Sequence, residues 1–396
     1  MLKQLRFKNW RNLRDVTIDL SPITVLIGAN SSGKTNIFDG LKFMRDANVK
    51  GLEKLVAAMG YTTIVSNSPI EDGVVSLEFT FDGFQTSGLV TDSLHLKFDG
   101  RNFPFNYARG LVEGDVIFED KTHFRELPIK NGSMDIYAGQ AVEIEQRQRE
   151  LRTTLIQNYQ RRWQLLAENF FPASRLSGSE TGDLYILESD GKNMLFSLEF
   201  MLDAYPELFN EFDQDARWLL QHVKTLAITR HPETREIELR LYEETKKLAP
   251  TISMGTLRSL AMLAAIHSLN MPQPLQLSYF STLEPNIIPP ETPGLIFIEE
   301  PDAALNPGVL QKFVELLRGY VENPDGTRPR QIILTTHNPT FLNYFEPEEV
   351  RVLQRGEDGH TSVHLIPDYI HDIWLKDGEY GLGEVWLTNL FGGTNP

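Results

Sequence analysis

The chain has no cysteine, and this one absence removes disulfides, thiolate zinc sites and cysteine nucleophiles together. It also lacks any apolar stretch of about 18 residues, the length a helix needs to cross a bilayer, so no membrane partner segment is expected. Positive charge is in deficit. Lys and Arg number 38 against 54 Asp and Glu, for a net charge of -16 and a pI near 5.1. That balance excludes a uniformly basic nucleic-acid surface but leaves room for a local basic groove. Internal repeats and low-complexity segments are missing as well. The opening Met1-Leu2-Lys3-Gln4-Leu5-Arg6-Phe7 alternates like a strand rather than a cleavable leader, so a soluble, cytoplasmic protein is expected. At 396 residues the chain can bury a sizeable core and suits two lobes or one domain with a large insertion.

What is present is led by Gly28-Ala29-Asn30-Ser31-Ser32-Gly33-Lys34-Thr35, a complete G-x-x-x-x-G-K-[ST] phosphate-binding loop. The β-branched run Ile23–Ile27 precedes it and apolar residues at helical spacing follow from Asn36 to Met44, which is the strand-to-helix setting the loop requires. Gly28 and Gly33 let backbone N–H groups turn toward phosphate oxygens. Lys34 reaches the terminal phosphates, and the Thr35 hydroxyl is a ligand for Mg2+. A nucleoside triphosphate, with ATP and Mg2+ as the pair, is the expected cofactor.

Three further stretches carry chemistry. The apolar run Gly294–Ile298 ends in Glu299 and Glu300, followed by Pro301-Asp302-Ala303-Ala304-Leu305-Asn306. The first acid can hold Mg2+ and the second can orient or deprotonate the attacking water. The run Gln331–Thr336 ends in His337, whose neutral imidazole can hydrogen-bond the terminal phosphate or the water. Ser253-Met254-Gly255 opens an apolar helix, and Ser and Gly at a helix N-terminus can form an anion site.

The remainder is read by pattern. Val74–Phe81 and Ser93–Phe98 alternate and are separated by Asp82-Gly83 and Asp99-Gly100, which predicts an antiparallel sheet within 61–130. Residues 140–170 read as a polar helix carrying Arg147, Arg149, Arg152, Arg161 and Arg162 among glutamates, part of a helical insert or lid over 140–223 that includes a helical stretch from Leu195. From 224 onward, strand-like runs at Ile237–Tyr242, Gly294–Ile298, Gln331–Thr335 and Val350–Gln354 alternate with helices, the sign of a mostly parallel sheet. Trp374, Trp386 and Phe391, in a polar setting, are expected to pack on the C-terminal lobe, with an exposed docking patch as the alternative.

In this order the four motifs resemble the ATP-binding cassette (ABC) ATPase head of the SMC, RecF and OLD branch. The resemblance covers the first 45 residues and roughly residue 170 onward. It implies an α/β P-loop NTPase with a mixed-sheet lobe (1–45 and 224–396), an antiparallel β part and a helical insert. The start Phe7-Lys8-Asn9-Trp10-Arg11 is similar to that branch's opening, with Arg11 beside the nucleotide, and Asn30 and Asn36 are typical of its loop. By the same resemblance Glu299 is metal-associated, Glu300 is the catalytic base and His337 is the switch histidine. Ser253 and Gly255 form the signature that closes over ATP held by a second copy, and Asn306 lies in the D-loop. An ATPase that closes as a head-to-tail homodimer is implied.

The signature departs from the transporter form, with Ser-Met-Gly-Thr for Ser-Gly-Gly-Gln, and Glu299 stands where transporters have Asp. Transport is therefore not expected. Gln85 lies in a plausible region for the family's Q-loop glutamine, without a firm assignment. Arg175, in a stretch resembling the stand-alone cassette ATPases, is a candidate for the nucleotide or dimer face, against a surface ion pair. With no long coiled-coil arms and about 60 residues after His337, too few for a fused Toprim nuclease, the chain resembles the ATPase subunits of anti-phage systems that hold or release a separate effector, commonly a nuclease. The alternatives are a RecF-like ATPase that binds DNA through the arginine-bearing insert, and a scaffold that uses ATP only to lock an assembly.

Overall fold

The computed structural model describes residues 1–65, 74–82, 89–98, 105–113, 116–119, 153, 155–176, 186–243, 251–271, 294–303, 305–322, 330–375 and 380–394. In chain order β1 (Leu2–Trp10), β2 (Leu13–Asp19) and β3 (Ile23–Gly28) lead into α1 (Lys34–Lys50), α2 (Leu52–Met59) and α3 (Tyr61–Ile64). Strands β4 (Val74–Phe81), β5 (Val90–Phe98), β6 (Phe105–Glu113) and β7 (Val116–Glu119) follow. A helix, α4, is described over 155–161 and precedes β8 (Gln164–Leu166) and β9 (Arg175–Leu176). Then come α5 (Met194–Ala204), α6 (Pro206–Leu219), β10 (Val223–Arg230), β11 (Ile237–Glu243) and α7 (Met254–Ser268). The chain continues through β12 (Gly294–Glu299), α8 (Pro307–Glu322), β13 (Arg330–Thr336), α9 (Pro339–Leu342), β14 (Val350–Arg355), β15 (Thr361–Leu365), α10 (Asp368–Ile370) and α11 (Leu382–Leu387).

The central sheet has the order β15-β14-β3-β13-β12-β8, parallel except for the β14–β15 hairpin. Strands β3 and β12 are buried at every position, as expected of parallel strands covered on both faces. Because successive side chains point to opposite faces, each central strand feeds two cores. Ile296, Ile298, Ile332 and Leu334 join helices α5 to α8 on one side. Leu295, Phe297 and Ile333 join α1, α4 and the antiparallel sheet on the other. The sheet is therefore the shared wall between two apolar layers, and the ends of its strands carry the chemistry-bearing residues.

The antiparallel sheet runs β2-β1-β4-β5-β6-β7. It takes in the expected strands β4 and β5, but it also recruits β1 and β2, which the sequence groups with the phosphate loop. A third, three-stranded sheet has the order β10-β11-β9. Here the expectation for Ile237–Tyr242 fails: β11 pairs antiparallel with β10 and β9 rather than joining the parallel sheet. Its alternating burial, with polar residues between Ile237, Leu239 and Leu241, suits a sheet with one wet face.

The helix expected over 140–170 also needs correction. Among its described residues the helix ends at 161, and Gln164–Leu166 is a fully buried strand at the edge of the central sheet, parallel to β12. Arg161 donates to the Asn48 carbonyl at 3.0 and 2.6 Å, and Arg162 to the Leu269 carbonyl at 2.7 Å. These two arginines staple the insert to the body rather than forming a basic face. Arg147, Arg149, Arg152 and Gln85 lie outside the described residues. In the tail, Trp386 and Phe391 are buried and Trp374 is partly buried against the same core, as expected.

Candidate functional site

The phosphate loop is held open by geometry that only its own residues allow. At Gly33, φ is +110°, and a Cβ would sit 2.7 Å from the Thr361 hydroxyl. At Gly28 a Cβ would meet the Leu353 carbonyl oxygen at 2.3 Å. A side chain at either position would collide with β14 or β15 behind the loop, so glycine lets the loop pack this closely against them. Helix α1 starts at Gly33 with no side-chain cap, which leaves its first N–H groups for an anion. The Lys34 ammonium is buried and donates to the carbonyls of Gly28 at 2.7 Å and Ala29 at 3.1 Å. Burial pushes its pKa down to about 8 against the pull of Glu300, Glu299 and Glu168.

Across a cleft of about 830 Å³ stand the acids at the end of β12. Glu299 is 3 % exposed. Burial raises its pKa to about 7, opposed by hydrogen bonds from the Thr35 hydroxyl and the Glu168 backbone. A buried carboxylate beside a hydroxyl is a hard oxygen pair, which fits Mg2+, an ion that takes one or two carboxylates and completes its shell with water and phosphate. Glu299 and Thr35 would hold that ion, which would neutralise phosphate charge.

Glu300 adopts φ of 47°, in the left-handed region that a non-glycine residue avoids. The conformation is imposed by neighbours: its N–H donates to the Thr335 carbonyl and hydroxyl, both at 3.1 Å, and its carbonyl accepts from Arg258 at 3.1 Å. Backbone strain held in this way aims the carboxylate at His337, whose Nε2 lies 3.0 Å from Oε1. That hydrogen bond, ahead of the opposing effect of burial, keeps the Glu300 carboxyl below its usual range, so it stays ionised and able to accept a proton. One cleft is thus lined by Arg11, Asn30, Ser31, Ser32, Gly33, Lys34, Thr35, Asn36, Glu299, Glu300 and His337. The Arg11 guanidinium pairs with Asp39 and donates to Asn36 at 3.1 Å, so it braces the cleft wall.

The remaining sequence candidates lie elsewhere. Ser253, Gly255 and Asn306 line a second groove of about 510 Å³ that shares no lining residue with the first. Ser253 caps α7 by accepting from the Thr256 N–H at 3.1 Å, and Asn306 caps α8 by accepting from the Val309 N–H at 3.0 Å. Arg175 is not in either cleft. It pairs with Glu238 on the surface, the plainer of its two readings.

Glu168, which lines the cleft, and Thr361 and Arg258, which brace it from behind the lining, escaped the sequence. Glu168 lines it just beyond β8, next to the acids of β12, and its N–H donates to Glu299 at 3.3 Å. Thr361 donates from its hydroxyl to the Ser32 carbonyl at 2.6 Å and clamps the loop from β15. Arg258 ties α7 to the Glu300 carbonyl and stacks over Phe170 with its guanidinium 4.1 Å from the ring centre. Glu168 could have been found had the short strand before it been recognised. Nothing local marks Thr361.

Fold and cleft together define an ABC-type P-loop ATPase head of the SMC, RecF and OLD kind. A family model described as an AAA ATPase domain matches residues 1–214, and one described as "AAA domain, putative AbiEii toxin, Type IV TA system" matches residues 137–343. The chain belongs to the AAA ATPase domain family. It is 23 % identical over 389 residues to the OLD nuclease of Thermus scotoductus, a match spanning 92 % of this chain and 64 % of that protein's length. Among solved structures, the Smc head domain of Pyrococcus furiosus, crystallised with an extended coiled coil and the C-terminal domain of ScpA, superposes with a TM-score of 0.52. At 13 % identity, and covering 95 % of this chain and 98 % of that one, this is a likeness of fold. Among the described residues no helix is long and apolar enough to cross a membrane.

Proposed function

We propose that the protein is a cytoplasmic ATPase that binds ATP and Mg2+ in the first cleft, closes with a second copy head to tail, and hydrolyses ATP to ADP and phosphate to reopen. The observation that carries this reading is the division of one expected site over two separate surfaces. Lys34, Glu299, Glu300 and His337 share the cleft, whereas Ser253, Gly255 and Asn306 share the groove. A second copy would bring a groove to each cleft. Glu300 acts as the base toward the attacking water with His337 bracing it, and Lys34 carries the terminal phosphate. The cycle controls a separate effector, in our reading a nuclease in anti-phage defence. The similarity to a protein named OLD nuclease, over 64 % of that protein's length, supports a nuclease connection.

The test is the molar mass of Glu300→Gln by light scattering, with and without ATP and Mg2+, before and after adding duplex DNA. An ATP-dependent doubling is expected. A mass indifferent to ATP would overturn the closing cycle. Added DNA mass that falls away steeply with salt would instead favour the RecF-like reading, although Arg161 and Arg162 are already committed to backbone carbonyls.

A further inference from the structure

The groove that holds Ser253, Gly255 and Asn306 also contains two residues for which the motifs give no role, Lys312 on α8 and His222 in the turn before β10. We infer that Lys312 is a positioning cation that meets the terminal phosphate of ATP bound in the cleft of a second copy, with His222 beside it. This rests on the head-to-tail reading above.

The chain carries a net charge of -16, yet no Asp or Glu lines this groove among the described residues. The first cleft, by contrast, holds Glu168, Glu299, Glu300 and Asp358. A concavity on an acidic protein that keeps a lysine and excludes carboxylates is fitted to an incoming anion. Lys312 is also held in place: its ammonium donates to the Trp218 carbonyl at 3.0 Å and lies 4.9 Å from the centre of the Trp218 ring. An ammonium has three N–H donors, so this anchor leaves others to reach a phosphate. Two large apolar side chains flank the motif residues in the open, Trp218 at 43 % exposure and Met254 at 41 %. A second copy would cover them. The anion is therefore presented by another protein surface, and the phosphate already gripped by the loop around Lys34 is the one such a copy offers.

Lys312→Gln tests this, since glutamine can keep the bond to the Trp218 carbonyl while losing the charge. In a Glu300→Gln background, light scattering should show ATP-dependent dimers weakened on the order of 10- to 100-fold by Lys312→Gln, the range for a lost charge-assisted bond, and restored by Lys312→Arg. The melting temperature should not move. Equal dimerisation with and without Lys312→Gln would overturn the role of Lys312 and leave the closing cycle standing; failure of Glu300→Gln itself to dimerise would overturn both.

Mixing gives a second readout. With Glu300 intact, Lys34→Ala should be inactive alone and Lys312→Gln reduced in step with its weakened dimers, whereas the mixture should reach about a quarter of wild-type hydrolysis, because half the dimers are mixed and each of those has one whole site. A mixture no more active than Lys312→Gln alone would refute the inference.

Discussion

The cleft and the groove each sit at the start of helices, yet they are built in opposite ways. In the cleft α1 has no side-chain cap, Ser31 and Glu300 hold left-handed backbone angles, and charges of both signs are buried against one another. In the groove both helices are capped by their own Ser253 and Asn306, and no carboxylate is present among the described lining residues. The cleft is left strained, with buried charges that the proposed phosphate and cation would answer. The groove is satisfied by itself and can only complement something brought to it.

The hardest blow to the cleft is Lys34→Ala. Isothermal titration should show ATP binding weakened at least 100-fold, since a buried charge-assisted contact to phosphate is lost. The apo protein should be no less stable for it. Burial holds the folded pKa of Lys34 near 8, below its ordinary value of 10.5, so at neutral pH the fold carries an ammonium it disfavours. Unfolding that became markedly easier in Lys34→Ala would show that the lysine supports the loop rather than serving the ligand.

Glu300→Gln comes next. Removing a general base slows the chemical step by on the order of 100- to 10,000-fold, and hydrolysis should fall accordingly while ATP remains bound. Hydrolysis at the wild-type rate would move the role of base to another group, and Glu168 would be the first to test.

Glu299 sharpens the contrast through pH. Its folded pKa is raised to about 7 by burial, so between the unfolded value of 4.5 and about 7 the folded state binds more protons than the unfolded one. By linkage, stability contributed by this group is present below pH 4.5 and is lost as pH rises through 7. Glu299→Gln removes the penalty. Thermal melts without nucleotide should show the variant more stable at pH 8, by on the order of 2 kcal/mol, with the gap closing toward pH 5. A gap independent of pH would mean that the carboxylate is not ionising where its burial implies.

The contrast also explains what could be read in advance. The phosphate loop, the acids after β12 and His337 are each a short local pattern at the end of an apolar strand, and all meet in one cleft. What the sequence hid depends on distant pairing. Gln164–Leu166 sits in a polar stretch that reads as helix, but burial beside β12 makes it a strand and brings Glu168 to the acids. Ile237–Glu243 has the alternation of any strand, and only its partners β9 and β10 decide that it leaves the parallel sheet. Thr361 clamps Ser32 from a residue 329 positions away, with no motif to announce it.

At Ser253 the groove can be made to resemble the cleft at little expected change in stability. Ser253→Ala removes the cap on α7 and should cost about 1 kcal/mol. Ser253→Asp keeps a capping oxygen, and aspartate caps about as well as serine, so chemical denaturation should find a change of no more than about 0.5 kcal/mol. The same substitution places a carboxylate in a groove that otherwise has none among its described lining residues, facing whatever docks there. If the groove receives phosphate from a second copy, Ser253→Asp in the Glu300→Gln background should lose ATP-dependent dimers even though the fold is intact, whereas Ser253→Ala should weaken them less. Should the aspartate variant dimerise as well as its parent, the absence of acid in the groove is incidental, and the two surfaces are not halves of one site.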